Sequence, residues 1–303
     1  MPRGAVVAKT AVRHRQLKGR ALLPTAASRA QLEQLLADDV PYGDLTTAAL
    51  GIGGTPGTMT FTARDKMVLA LAEDAAVIIE LTGCKVDLQA QSGAAIDPGS
   101  PILVAHGPAS ALLRSWKVAQ TLIEIWSGVA TDARAIVNTA TSVAPHNAVA
   151  CTRKNVPGTK CFAVAAVRAG GAVMHRLGLS ETVLVFPEHR TFLGGQSLAG
   201  SVERLRRAAP EKRLVIEVNT LEAAVEAAVA GFDVIQAEKF APADIGALVA
   251  RMASMESRPI VAAAGGINAG NVADYARAGA DVVVTSSPYL ALPRDVQVRI
   301  YPS

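Results

Sequence analysis

Residues Arg213 to Glu238 read RLVIEVNTLEAAVEAAVAGFDVIQAE. A short β-branched run, Arg213 to Val218, gives way to an Ala-rich helical stretch over 221–230 and then to a second apolar run, Asp233 to Ala237. This is the pattern of a strand, a helix and the next strand. It repeats in both directions, with strand-like runs at Ala148 to Thr152, Thr182 to Phe186, Pro259 to Ala264 and Asp281 to Thr285. Helices are expected near 160–169, 199–208, 242–253 and 270–279. The runs are apolar on both faces, as strands of a parallel, fully covered sheet should be. Six such units without a dinucleotide glycine fingerprint point to an α/β barrel rather than an open doubly wound sheet.

The first part of the chain reads differently. A Gly/Pro-rich stretch, Gly51 to Gly57, leads into a strand at Thr58 to Ala63, and Val86 to Ala90 and Pro101 to Ala105 read as further strands of a smaller α/β domain. A helical region, Ala109 to Gly128, carries the chain toward the barrel, with a boundary expected near residue 130.

With 303 residues, half of them hydrophobic, the chain can bury a sizeable core, which argues against a small binding module. Its longest apolar runs, such as Leu214 to Val218, fall far short of the roughly 20 residues that span a bilayer, so no membrane partner is expected. The net charge of +4 is uneven: Arg3, Lys9, Arg13, Arg15, Lys18 and Arg20 stand in the first twenty residues without an acid, leaving −2 for the rest. The basic balance therefore belongs to an amino-terminal arm, expected to be mobile, and does not call for nucleic acid as a partner. Cys84, Cys151 and Cys161 form no C-x-x-C pair, and their odd number suits a reducing cytoplasm rather than a disulfide framework. Cys151 closes the apolar run that begins at Ala148, which suits packing better than nucleophilic chemistry.

In parallel barrels chemistry gathers where the strands end, because the loops there converge on one mouth. Arg153 and Lys154 follow the first run, Glu217 closes the third, Glu238 and Lys239 follow the fourth, Gly265 and Gly266 the fifth, and Ser286 and Ser287 the sixth. Arg153, Lys154, His175 and Arg176 concentrate positive charge around two carboxylates, which implies an anionic substrate. The Gly265-Gly266 turn precedes a helix, so its N–H groups and the helix amino end could hold a phosphate with the hydroxyls of Ser286 and Ser287.

These residues resemble a known family. Tyr42-Gly43-Asp44-Leu45-Thr46-Thr47, Ser127-Gly128-Val129-Ala130-Thr131, Thr152-Arg153-Lys154 with Pro157-Gly158, His175-Arg176-Leu177-Gly178-Leu179, Glu217 and Gly265-Gly266-Ile267 are similar, in order and spacing, to motifs of the quinolinate phosphoribosyltransferases. The resemblance runs from about residue 30 to the carboxyl end and implies the type II phosphoribosyltransferase fold, an amino-terminal α/β sandwich followed by an incomplete parallel α/β barrel. The divisions expected are an arm at 1–25, the sandwich at 26–130, the barrel at 131–288 and a carboxyl-terminal segment at 289–303 returning to the sandwich. It also implies a homodimer with each active site between one subunit's sandwich and the other's barrel. The implied reaction takes phosphoribosyl pyrophosphate with Mg²⁺, releases pyrophosphate and joins the ribosyl carbon to a ring nitrogen. Arg153, Lys154, His175 and Arg176 would meet the acidic substrate and pyrophosphate, and Glu217 and Glu238 the ribose hydroxyls and metal. Ribosyl transfer passes through a cationic sugar, so carboxylates stabilise the charge that develops while Arg and Lys stabilise the departing pyrophosphate.

The chain departs from the quinolinate pattern at instructive places. Phe186 stands where the family has a lysine in I-K-D-N-H, and Lys117 stands where it offers an arginine across the dimer. Glu238 replaces the aspartate of L-D-N, and Thr285-Ser286-Ser287-Pro288-Tyr289 replaces the family's last strand motif. Each charge-assisted hydrogen bond lost from a dicarboxylate pocket removes roughly 1.5 to 3 kcal/mol, so an aromatic or heteroaromatic acid other than quinolinate is the acceptor expected. His175 to Phe186 and Thr285 to Tyr289 are similar to the ModD branch of the family, associated with molybdate transport. Two other readings stay open: an accessory or sensor protein that binds an anionic ligand without efficient catalysis, and a lyase using Lys154 or Lys239 as a Schiff base.

Overall fold

A computed structural model describes residues 24–303, so nearly all of the arm expected at 1–25 lies outside the described residues. Five strands come first: β1 (Pro56–Ala63), β2 (Met67–Val68), β3 (Lys85–Leu88), β4 (Ala95–Ile96) and β5 (Pro101–Pro108). Seven more follow the long helix: β6 (Ala148–Cys151), β7 (Val173–Met174), β8 (Val183–Val185), β9 (Leu214–Val218), β10 (Val234–Glu238), β11 (Ile260–Ala264) and β12 (Val282–Thr285). The last strand, β13 (Val296–Pro302), lies antiparallel to β1, in a four-stranded sheet ordered β13-β1-β5-β3.

The seven-stranded sheet runs in the order β7-β6-β12-β11-β10-β9-β8, all parallel, and its two edge strands do not pair. Residues 175–182, which join those edges, are too few to carry the helix that a parallel crossover needs, so the barrel stays open there. Alternation divides the strands between two cores. Ile235, Ala237, Val261, Ala263 and Val283 pack outward into the main core with the surrounding helices, while Ala262, Ala264 and Val284 form a separate small cluster on the other face. That inner face also carries Glu217 and Gln236, which are register partners on β9 and β10. Small side chains inside the barrel leave depth beneath its mouth.

The helix expected over 109–128 continues to Val143, and at 35 residues it is about 52 Å long. It passes unbroken through residue 130 and packs on both sheets' layers, and its Ser127 to Thr131 motif clasps the chain at β2. The buried Ser127 hydroxyl accepts the Ala70 N–H at 2.9 Å, and Thr131 Oγ1 accepts the Val68 N–H at 2.9 Å. Gly128 admits the returning chain: a Cβ there would collide with Leu292 O and lie 3.1 Å from Leu292 C. Asp44, in the first motif, caps the helix Leu45–Leu50 by accepting from the Thr47 N–H at 3.1 Å.

Candidate active site

The carboxyl ends of the barrel strands surround a cavity of about 890 Å³. Arg153, Lys154, His175, Arg176, Phe186, Glu217, Glu238, Gly265, Gly266, Ser286 and Ser287 all line it. Lys117 does not. It is exposed on the long helix, with its ammonium 4.0 Å from the Trp116 ring centroid and 3.0 Å from Gln120 Oε1.

One wall is cationic. Arg176 is only 7% exposed, lies 5.3 Å from the Phe186 ring centroid, and has no carboxylate within ion-pair distance among the described residues. Burial and the nearby Arg153 charge lower its pKa, but a guanidinium remains charged at any physiological pH. His175 departs from expectation: burial, then the Arg176 charge, lower its pKa below the ordinary histidine value of 6.5. It is therefore neutral near pH 7 and adds hydrogen-bonding capacity rather than charge. The backbone sets its position, with the His175 N–H donating to Cys151 O at 2.8 Å.

The opposite wall is acidic. Burial and the neighbouring Glu238 carboxylate raise the Glu217 pKa above the usual range, partly opposed by a hydrogen bond in which Gln236 Nε2 donates to Glu217 Oε2 at 2.7 Å. Two carboxylates held together in this way favour a cationic partner. No group of three or more His, Cys, Asp or Glu side chains that could hold a metal occurs among the described residues.

Between the walls lies the glycine turn after β11. Gly265 has φ 94° and Gly266 φ 73°, which suit glycine, and a Cβ at Gly265 would lie 2.9 Å from Glu238 Oε1. The N–H groups of Gly266 and Ile267 and the Ser286 hydroxyl donate to no protein acceptor among the described residues. The Ser287 hydroxyl instead donates to Asp132 Oδ2 at 3.2 Å. The expected contribution of a helix amino end is also absent: the next helix begins only at Val272 and does not line the cavity. The turn's own amides are the available donors.

Gln236 escaped the sequence reading, because it sits in an otherwise apolar run where no spacing marks it; Glu188 lines the cavity from the short helix Pro187–Thr191. His189 Nδ1 accepts the Phe186 N–H at 2.9 Å and its ring stacks on Phe186 at 5.8 Å between centroids, a local structural role. Cys151 is buried and burial pushes its thiol up to about 12, in keeping with packing. Among the described residues no helix is long and apolar enough to cross a membrane.

The chain matches the family model of the quinolinate phosphoribosyl transferase N-terminal domain over residues 44–127 and that of the C-terminal domain over residues 129–298. It is 46% identical to the ModD protein of Rhodobacter capsulatus over 248 residues, covering 82% of this chain and 95% of that one. It is 35% identical to ModD of Escherichia coli over 277 residues, covering 91% of this chain and 98% of that one. The structure of NadC from Streptococcus pyogenes, 25% identical, superposes with a TM-score of 0.83 over 90% of this chain and 96% of that chain.

Proposed function

Since the chain belongs to the quinolinate phosphoribosyltransferase family, in which it is similar to the ModD proteins, we propose that it transfers phosphoribosyl from phosphoribosyl pyrophosphate to an aromatic or heteroaromatic acid other than quinolinate, releasing pyrophosphate. The observation that carries this reading is the division of one cavity into a cationic wall, Arg153, Lys154 and Arg176, and a carboxylate pair, Glu217 and Glu238, on either side of the glycine turn. The cations would bind and then stabilise pyrophosphate, and the carboxylates would face the sugar as positive charge develops on it.

Mg²⁺ suits the same carboxylates. Glu217 is already raised by burial and by Glu238, so a divalent cation beside both would relieve their repulsion. Two carboxylates plus oxygens of the donor and water make a typical Mg²⁺ shell. The ion would neutralise charge on the pyrophosphate.

A homodimer with shared sites accounts for two further observations. Lys117 lies outside its own chain's cavity, and apolar side chains stand in solvent around the two regions that would meet, with Tyr42 99% and Leu290 86% exposed. Inactive Lys117→Ala and Arg153→Ala subunits should recover activity when co-assembled. Three free cysteines among the described residues suit a cytoplasmic location.

Calorimetry with phosphoribosyl pyrophosphate, with and without Mg²⁺, tests the reading. Mg²⁺-dependent binding is expected; its absence at millimolar ligand would sink the transferase reading and favour an accessory protein binding some other anion.

A further inference from the structure

Lys239 directly follows β10 and has a left-handed backbone, φ 59°, although it is neither glycine nor asparagine. Its N–H donates to Ala264 O at 2.7 Å, which ties it to the end of β11. The side chain starts out against the glycine turn, since a Cβ added at Gly265 would lie 2.7 Å from Lys239 Cγ and 2.8 Å from Lys239 N. The stem of Lys239 thus occupies the space that Gly265 leaves. The residue lines the cavity beside Gly266, Ile267 and Ser286, and no carboxylate lies within ion-pair distance of it among the described residues.

The strand order gives this lysine a particular position. The turn after β11 is flanked by β10 and β12, which Lys239 and Ser286 directly follow, whereas Arg153, Lys154 and Arg176 follow β6 and β7, beyond β12. Lys239 is therefore the cation that follows a strand adjoining the turn. The turn itself offers two N–H groups without protein acceptors among the described residues, and the Ser286 hydroxyl likewise donates to none of them.

We propose that Lys239 is a phosphate-binding residue, neutralising a phosphoryl dianion whose oxygens accept from the Gly266 and Ile267 amides and the Ser286 hydroxyl. A lysine serves here as a point charge and needs no bidentate geometry. The identity of that phosphoryl group rests on the transferase reading: it is the 5-phosphate of the ribose, because the cations beyond β12 are placed for pyrophosphate. The left-handed backbone is then the cost of carrying a cation across the turn, where glycine or asparagine would be less strained.

The test is calorimetry on the full chain with ribose 5-phosphate and with pyrophosphate, comparing the unaltered protein with Lys239→Asn and Lys239→Arg. Asparagine tolerates the left-handed region better than lysine, so Lys239→Asn should keep or raise the melting temperature. It should weaken ribose 5-phosphate at least about tenfold and pyrophosphate less than about threefold, with Lys239→Arg within about threefold of the parent for both. Ribose 5-phosphate affinity unchanged in Lys239→Asn would overturn the assignment, as would a loss confined to pyrophosphate or no ribose 5-phosphate binding by the parent. Binding of ribose 5-phosphate through Lys239 without any turnover of phosphoribosyl pyrophosphate would instead overturn the transferase reading and leave this one standing.

Discussion

Gln236 donates to Glu217 at 2.7 Å across a register pair of β9 and β10, from a side chain that is 5% exposed and whose Oε1 has no protein partner. The bond engages one carboxylate oxygen of Glu217, the carboxylate proposed to face the sugar. Gln236→Leu should lower kcat/KM about tenfold, as expected for one lost hydrogen bond to a charged group. Steady-state kinetics with a melting curve would check this; unchanged kinetics in a folded variant would remove Gln236 from the positioning of Glu217.

Glu217 itself should show a trade between function and stability. Its pKa is raised in the folded chain, by burial and then by Glu238, from the ordinary value of 4.5. The stability this contributes is full below the ordinary value and is lost as pH rises through the folded one. Without ligand or metal, Glu217→Gln should therefore melt higher than the parent at pH 7.5, by about 2 °C, and match it more closely at low pH. Its activity should fall about a hundredfold. A lower melting temperature at pH 7.5 would count against a strained carboxylate.

Acceptor choice should follow Phe186. Its ring borders the mouth under Arg176 and cannot neutralise a second carboxylate, so a monoacid or neutral heteroaromatic ring should be accepted better than quinolinate. Glu188, also at the mouth, adds repulsion against a diacid. Phe186→Lys with Lys117→Arg should shift the ratio of affinities toward the diacid, measured by competition binding. Quinolinate as the best acceptor of the parent would refute the argument from these two residues.

Ser127 should prove structural. Replacing it with alanine leaves the Ala70 N–H unpaired in a buried clasp, which should cost about 1 to 3 kcal/mol. Urea unfolding would measure the loss, and the ligand affinity of the folded variant should be close to that of the parent.

Much of the barrel was legible because parallel strands announce themselves as short apolar runs: those at 214–218, 234–238 and 260–264 lie within a residue of the runs read. Val173–Met174 was not, since two residues carry no period, and the long helix outran its first reading because small residues after Gly128 blur the apolar spacing. The mouth could be found because charged and glycine residues recur just after strands. Its finer chemistry was hidden. Gln236 looks like part of a strand, the neutrality of His175 depends on burial, and the left-handed backbone of Lys239 leaves no mark in a residue type that seldom adopts it.

Pyrophosphate release from phosphoribosyl pyrophosphate, followed with a panel of aromatic monoacids and quinolinate, reads out phosphoribosyl transfer itself. Release should depend on Mg²⁺ and on an acceptor, be fastest with a monoacid or neutral heteroaromatic ring, and be lost in Arg153→Ala. No acceptor-dependent release from any member of the panel, by a protein that binds phosphoribosyl pyrophosphate, would contradict the proposed transfer.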